Sequence, residues 1–157
     1  MRKLGIIGVL SMLMVAFSAS AALAQTSGVH FLVTDQPEFT DLGTQLQATG
    51  TIAGLGEEDV TVVLTAEGVA QVSCVSPGGN VAPGQATTIT ATATQTDIEV
   101  KNGRATFNLA TATPTVDPAE ACPNPRWTAT VTDVEFTSAT ITAIQAGEVV
   151  LTETFTL

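Results

Sequence analysis

Hydrophobic and polar residues alternate along most of the chain from Gln25 to Leu157, with Thr on one side and Val, Ile, Ala or Phe on the other. A period of two places successive side chains on opposite faces of a strand, whereas a helix needs a period of about 3.6. Threonine is β-branched and suits a pleated surface without adding charge. The pattern therefore predicts an all-β chain in which helix is disfavoured throughout.

Glycine, proline and acidic turns divide this alternation into short segments. We expect strands at residues 29–34, 45–52, 60–66, 69–75, 87–96, 98–101, 104–107, 127–132, 134–143 and 148–157. Glu67 and Gly68 interrupt one of them, so residues 60–75 form either a hairpin or one long bulged strand. About eight to ten strands at this spacing predict an antiparallel two-sheet sandwich, immunoglobulin-like in architecture. A closed barrel is the alternative.

Asn102 and Gly103 carry the clearest local signal, because they join two alternating runs between Ile98 and Phe107. Both residue types tolerate the positive φ values of a type I′ turn, which matches the twist of the flanking strands. We therefore predict a two-residue hairpin turn at this dipeptide.

The start of the chain has the three parts of a secretory signal peptide. They are a basic start (Arg2 and Lys3), an apolar run (residues 4–17) and a small-x-small cleavage motif (Ala22-Leu23-Ala24). The alternative is a membrane anchor, but the run is shorter than the roughly 20 residues that a spanning helix needs. We therefore expect residues 1–24 to be a signal peptide, residues 25–157 to be a single domain, and the product to be secreted to the periplasm or the outside.

Charge narrows the range of partners. The formal net charge is −10, and without residues 1–24 only Lys101, Arg104 and Arg126 oppose fifteen acids, which gives 3 − 15 = −12. Nucleic acid and anionic membranes bind through clusters of Lys and Arg. We therefore exclude both as partners, whereas a cationic partner or loosely held calcium is compatible with this charge. No later apolar stretch is long enough to span a bilayer, so we expect no membrane span in the mature chain.

The two cysteines lie in two turn-rich corners. One corner runs from Cys74 to Gln85 through Pro-Gly-Gly-Asn and Pro-Gly, and the other runs from Cys122 to Trp127 as Cys-Pro-Asn-Pro-Arg-Trp. Their Gly and Pro content excludes regular structure. Two cysteines in an exported chain pair readily, so we predict a Cys74–Cys122 disulfide worth about 4 kcal/mol in the chain-entropy model.

These corners also carry a resemblance. The chain resembles a family of small, secreted, uncharacterised bacterial proteins in a set of short motifs that spans most of the mature chain. The motifs are Gly54-Leu55-Gly56, Cys74 with Pro77-Gly78-Gly79-Asn80 and Pro83-Gly84-Gln85, Asn102-Gly103, and Cys122-Pro123-Asn124-Pro125 with Trp127. The resemblance implies a secreted β-domain with one disulfide, and it brings no activity or catalytic residue with it.

Catalytic chemistry finds little support in the sequence. His30 is the only histidine, it lies in a predicted strand, and no Gly-x-Ser-x-Gly elbow accompanies it. A metal site at Cys74, Cys122 and His30 lacks the local ligand spacing of zinc sites. We therefore predict that the protein is not an enzyme and needs no cofactor.

Two acidic loops remain, one at residues 35–41 and one at Glu57, Glu58 and Asp59. A glycosidase needs two carboxylates that flank a sugar cleft. Both loops have the composition of ordinary solvent-exposed turns, so the sequence does not favour glycosidase activity. Neither loop follows the EF-hand pattern, so Glu57, Glu58 and Asp59 are only a weak calcium candidate.

Trp127 is expected to pack against the disulfide, as a tryptophan does in immunoglobulin domains. If Trp127 is exposed, it joins Gly78, Gly79 and Asn80 as the predicted binding surface, because aromatic anchors dominate interfaces. The predicted function is a structural or interaction role at the cell surface or outside it. The partner is unknown, and both a protein and a glycan are compatible with the sequence. The alternatives are a carbohydrate- or ligand-binding module and a self-assembling subunit that pairs through residues 149–157.

Overall fold

The computed structural model describes residues 28–157, so the predicted signal peptide at residues 1–24 lies outside the described residues. The described residues form nine strands and one short helix. These elements are β1 (His30–Phe31), β2 (Glu38–Asp41), β3 (Leu46–Ala53), β4 (Val60–Val75), β5 (Val81–Pro83), β6 (Thr87–Ile98), β7 (Arg104–Ala110), α1 (Pro118–Ala121), β8 (Thr128–Gln145) and β9 (Glu148–Thr156).

The strands form two antiparallel sheets, which confirms the predicted sandwich. In the smaller sheet β3 pairs with β7 on one edge and with β1 and β2 in succession on the other. In the larger sheet β4 pairs with β8 on one edge and with β6 and β5 on the other, and β9 lies beyond β8. The two sheets remain separate, so the closed barrel is not the architecture.

The core follows the predicted alternation. Leu46, Ala48, Gly50 and Ile52 of β3 are all buried, as the sequence indicates. They face the buried side of the larger sheet, and both sheets contribute to one hydrophobic cluster. Burial of each large aliphatic or aromatic side chain stabilises the fold by about 1.5–3 kcal/mol, so this cluster is the main source of stability.

The outer face of the larger sheet carries the threonines, also as predicted. Thr65 on β4 pairs with Thr92 on β6 and with Thr140 on β8, which pairs in turn with Thr154 on β9. The Thr140 and Thr154 hydroxyls lie 2.8 Å apart and share a hydrogen bond. This face is therefore polar and mostly uncharged.

The segment 60–75 is one strand of 16 residues, so the single-strand alternative is correct, although the bulges lie on its partner strands. The β4–β8 register shifts twice, and each shift leaves one β8 residue unpaired, first Thr132 and then Thr137. Each of these hydroxyls donates to a β4 carbonyl at the shift, Thr132 to Gln71 at 3.2 Å and Thr137 to Glu67 at 3.3 Å. These bulges explain why the hydrophobic alternation of β8 changes phase.

The two-residue turn at Asn102 and Gly103 is confirmed. Their φ angles are 52° and 72°, and Lys101 and Arg104 exchange backbone hydrogen bonds of 2.8 and 3.0 Å. The flanking strands then separate, because β6 pairs with β4 in one sheet and β7 pairs with β3 in the other. The turn therefore passes the chain from one sheet to the other.

Several predictions need correction. Residues 38–41 lie in a predicted acidic loop but form β2, and the strand predicted at 98–101 is absent because β6 ends at Ile98. The first strand is shorter than predicted and covers only His30–Phe31. The Cys74 corner contains regular structure, because Val81–Pro83 pairs with β4. Helix was predicted to be disfavoured throughout, but the short helix α1 lies just before Cys122. It begins after Asp117, whose carboxylate accepts a hydrogen bond from the Ala119 N–H at 2.8 Å. An Asp followed by Pro is a helix-start signal, so the sequence did contain evidence for α1.

Candidate interaction site

The disulfide between Cys74 and Cys122 is present, with the two Cα atoms 5.8 Å apart. It joins the end of β4 to the residue that follows α1, rather than one sheet to the other as in immunoglobulin domains. Cys74 is fully buried and forms a small hydrophobic cluster with Val72 and Ala121. The disulfide therefore fastens the segment that contains α1 onto the larger sheet.

Trp127 is half-buried and packs against this small cluster, as expected for a tryptophan beside the disulfide. Gly78, Gly79 and Asn80 form the exposed tip of the β4–β5 turn. This tip is closed by its own hydrogen bonds, from Gly79 N–H to the Ser76 carbonyl at 2.9 Å and from Asn80 N–H to the Ser76 hydroxyl at 3.0 Å. None of the four predicted binding residues lines the groove described below.

Glu57, Glu58 and Asp59 are all exposed in the turn between β3 and β4. Within residues 28–157 no three His, Cys, Asp or Glu side chains come together as metal ligands, so this turn does not form a calcium cluster. The turn is held instead by the buried side chain of Gln145, which accepts from the Gly56 N–H at 2.9 Å and donates to the Glu58 carbonyl. Sequence reasoning missed Gln145, because its partners are distant along the chain.

His30 is exposed, and its ring nitrogen contacts the Gly28 carbonyl at 2.7 Å. Asp35, in the other acidic loop, accepts a hydrogen bond from the Thr51 hydroxyl. The Asp35–Thr51 hydrogen bond joins the segment after β1 to β3, whereas the His30 contact stays within its own segment. Both residues therefore act in local structure.

A groove of about 410 Å³ lies between the free edge of β6 and the segment that follows β7. We call it the β6 groove; residues 87–92 form one wall, residues 112–117 the other, and Glu120 of α1 lies at one end. Residues 112–117 have no regular structure, and we call them the arch. Sequence reasoning did not locate this groove.

Hydrogen bonds hold the two walls of the β6 groove together at both ends. At one end the Ala112 N–H donates to the Thr92 carbonyl at 3.3 Å, and at the other the Gln85 N–H donates to the Ala121 carbonyl at 2.8 Å. Between these two bonds, no backbone hydrogen bond within the described part of the chain joins the arch to β6. The groove is therefore a gap between two extended segments whose ends are fixed.

The arch is anchored beyond both ends of the groove. Thr111, fully buried, accepts from the Leu46 N–H through its hydroxyl at 3.0 Å and donates its own N–H to the Leu46 carbonyl at 2.9 Å. At the other end the disulfide holds Cys122. Val116, in the middle, packs against both the main core and the disulfide cluster. These contacts fix the path of the arch alongside β6.

The edge of β6 offers backbone groups to the groove. The carbonyl of Thr92 points away from β4, since it accepts from Ala112. In a strand, backbone groups two residues apart point to the same side, and β6 pairs with β4 without a register shift from Thr87 to Thr94. The N–H and C=O groups of Thr88 and Thr90 therefore also point into the groove.

The charges beside the groove are negative. Asp117 and Glu120 are exposed at the α1 end, and no Lys or Arg is among the residues that line it. A peptide or protein with basic groups fits this end better than an acidic one.

No protein-family model matches the chain, and no curated protein sequence is significantly similar to it. The resemblance to small secreted bacterial proteins therefore stays a prediction. In residues 28–157 no helix has the length and apolar character to cross a bilayer.

Proposed function

We propose that the protein is an exported, non-enzymatic β-sandwich that binds a partner at the β6 groove. The observation that carries this proposal is the gap between β6 and the arch, bounded by the Ala112–Thr92 and Gln85–Ala121 hydrogen bonds. A strand edge with free N–H and C=O groups is a ready template for pairing, and proteins commonly cover such edges. Here the arch, which would cover the edge of β6, is held away from it.

The disulfide supports both the site and the location. It fixes the α1 end of the arch, so the groove depends on an oxidised Cys74–Cys122 pair. Disulfides persist in the periplasm and outside the cell, which fits an extracellular or periplasmic protein. A site whose ends are already fixed also loses less conformational entropy when a partner binds.

A photo-crosslinking amino acid at Thr115 tests this function. Thr115 is exposed on the arch, and Thr40 is exposed on β2 of the smaller sheet and serves as the matched control position, away from both the groove and β9. In the native envelope or culture medium, we expect Thr115 to give a discrete adduct whose cross-linked peptide maps to one partner. We expect Thr40 to give none. Identical adducts at both positions, or no adduct at Thr115, would refute the function.

Self-assembly is a second candidate, favoured by the outer edge of β9. Within residues 28–157, β9 pairs only with β8, and Val149 and Leu157 are 41% and 44% exposed. Such an edge can pair with another molecule. Light scattering after size exclusion should show dimers or larger species that grow with concentration; a strict monomer at high concentration removes this candidate.

The carbohydrate-binding alternative depends on Trp127. Its half-buried ring packs beside the disulfide, so only part of it is free to stack on a sugar. A glycan array in which wild-type protein binds and Trp127→Ala does not would favour this alternative, and an array without signal removes it.

A further inference from the structure

We infer that the β6 groove takes an extended, basic peptide segment, which adds to the larger sheet as a strand beside β6. The inference rests on the proposed function, because it names the chemistry of the partner at the same groove. It is carried by the direction of the β6 backbone groups, the size of the groove and the charges at its end.

The backbone of β6 fits strand addition. Thr88 and Thr90 direct both an N–H and a C=O into the groove, so an antiparallel neighbour exchanges two hydrogen bonds with each of them. The groove volume of about 410 Å³ is an order of magnitude larger than the ~30 Å³ that one water occupies in the liquid. The gap is therefore larger than a site for one or two bridging waters.

The walls of the groove set the pattern of side chains that the peptide needs. Ile89 and Ala91 turn their side chains to the buried face of the sheet, and Val116 of the arch packs beside that core. Thr88 and Thr90 are exposed on the opposite face. An added strand alternates in the same way, so small apolar residues would face Val116 and polar residues would face solvent.

Charge decides between a foreign peptide and a second copy of this chain. The groove has Asp117 and Glu120 at one end and no Lys or Arg along it. Two copies of a chain with a formal charge of −10 repel each other. A peptide with Lys or Arg near one end is attracted instead, so the basic peptide is the partner that the surface favours.

The probe for this inference is a short synthetic peptide of alternating Val and Thr with Lys at both ends, and its control has Glu in place of Lys. Titration calorimetry against the full chain should show saturable binding of the lysine peptide, weakened by added salt. The glutamate peptide should bind several-fold more weakly, because charges at the rim of a site govern steering and salt dependence. No saturable binding of the lysine peptide, or equal binding of both, contradicts the inference.

Two substitutions at one position separate backbone pairing from side-chain contact. Thr90→Pro removes the N–H that points into the groove but none that pairs with β4, and proline is tolerated on such an edge. Thr90→Val keeps the N–H and removes only the hydroxyl. We expect T90P to lower affinity for the lysine peptide about tenfold or more and T90V to leave it within about twofold.

Folding and function have their own controls. T90P should melt within a few degrees of wild type; if it does not fold, T88P provides the same test at the other inward N–H. If T90P binds the peptide as wild type does, strand addition is wrong. A specific adduct at Thr115 would in that case still leave the interaction function standing, whereas loss of that adduct would refute the function itself.

Discussion

The N–H of Ala112 donates to the carbonyl of Thr92 at 3.3 Å, where the arch begins to leave the edge of β6. This bond establishes that the outer groups of Thr92, and with them those of Thr88 and Thr90, point away from β4. The same bond closes one end of the β6 groove. A single contact therefore fixes both the boundary of the candidate site and the direction of its hydrogen-bonding groups.

Removal of the disulfide should destabilise the fold and loosen the arch. We expect Cys122→Ser to lower the free energy of unfolding by about 2–5 kcal/mol, because a native bridge is lost from a small domain. Thermal melting measures this loss, and hydrogen exchange should show faster exchange in residues 112–122 than in β3. Reduction of the wild-type protein is the matched control and should reproduce both effects.

The oxidised state itself is open to direct measurement. Mass analysis of the unreduced protein should find two hydrogens fewer than the sequence predicts, as the Cys74–Cys122 bond requires. Free thiols at both positions would contradict the role assigned to this bond.

Gly68 should be intolerant of a side chain. A Cβ at this position would lie 2.5 Å from the Glu135 carbonyl oxygen across the β4–β8 bulge. We expect Gly68→Ala to destabilise the protein by about 1–3 kcal/mol, in the range typical of overpacking. Denaturant unfolding measures the change.

Gly78 supplies the control, since a Cβ there would meet its nearest neighbour, the Ser76 hydroxyl oxygen, at 3.8 Å. Gly78→Ala should leave the unfolding midpoint nearly unchanged. Equal stability of the two variants would show that β4 and β8 do not approach as described.

Gln145 should hold the acidic turn that precedes β4. Gln145→Ala removes both hydrogen bonds from its buried amide, to the Gly56 N–H and the Glu58 carbonyl, and we expect a loss of about 1–3 kcal/mol. Limited proteolysis should then cut residues 54–59 faster than in wild type.

Gln71→Ala is the control for this prediction, because that side chain is exposed on β4. Similar proteolysis of the two variants would exclude a specific role for Gln145.

Local sequence predicted those parts of the fold that depend on near neighbours. The alternation of Leu46, Ala48 and Ile52 located β3 and its buried face, because a strand with one buried face needs a period of two. Asn102 and Gly103 located their turn, because few residue pairs adopt two positive φ angles easily. The disulfide followed from the presence of two cysteines in a chain predicted to be exported.

The candidate site could not be predicted in the same way. The alternation at Thr88 and Thr90 marks a strand but does not say which edge lies free, since that depends on where the chain returns after β7. The path of the arch is set by the contact of Thr111 with Leu46 and by the disulfide, both of which join distant residues. The bulges at Thr132 and Thr137 likewise became visible only when β4 and β8 were aligned.

Amide hydrogen exchange at four consecutive β6 residues tests the central claim most directly. Ile89 and Ala91 direct their N–H groups to β4 and should exchange slowly, whereas Thr88 and Thr90 face the groove and should exchange fast in the free protein. Addition of the lysine peptide should slow only Thr88 and Thr90. Slow exchange at Thr90 in the free protein, or no change when the peptide is present at saturation, would contradict a groove that is open for an added strand.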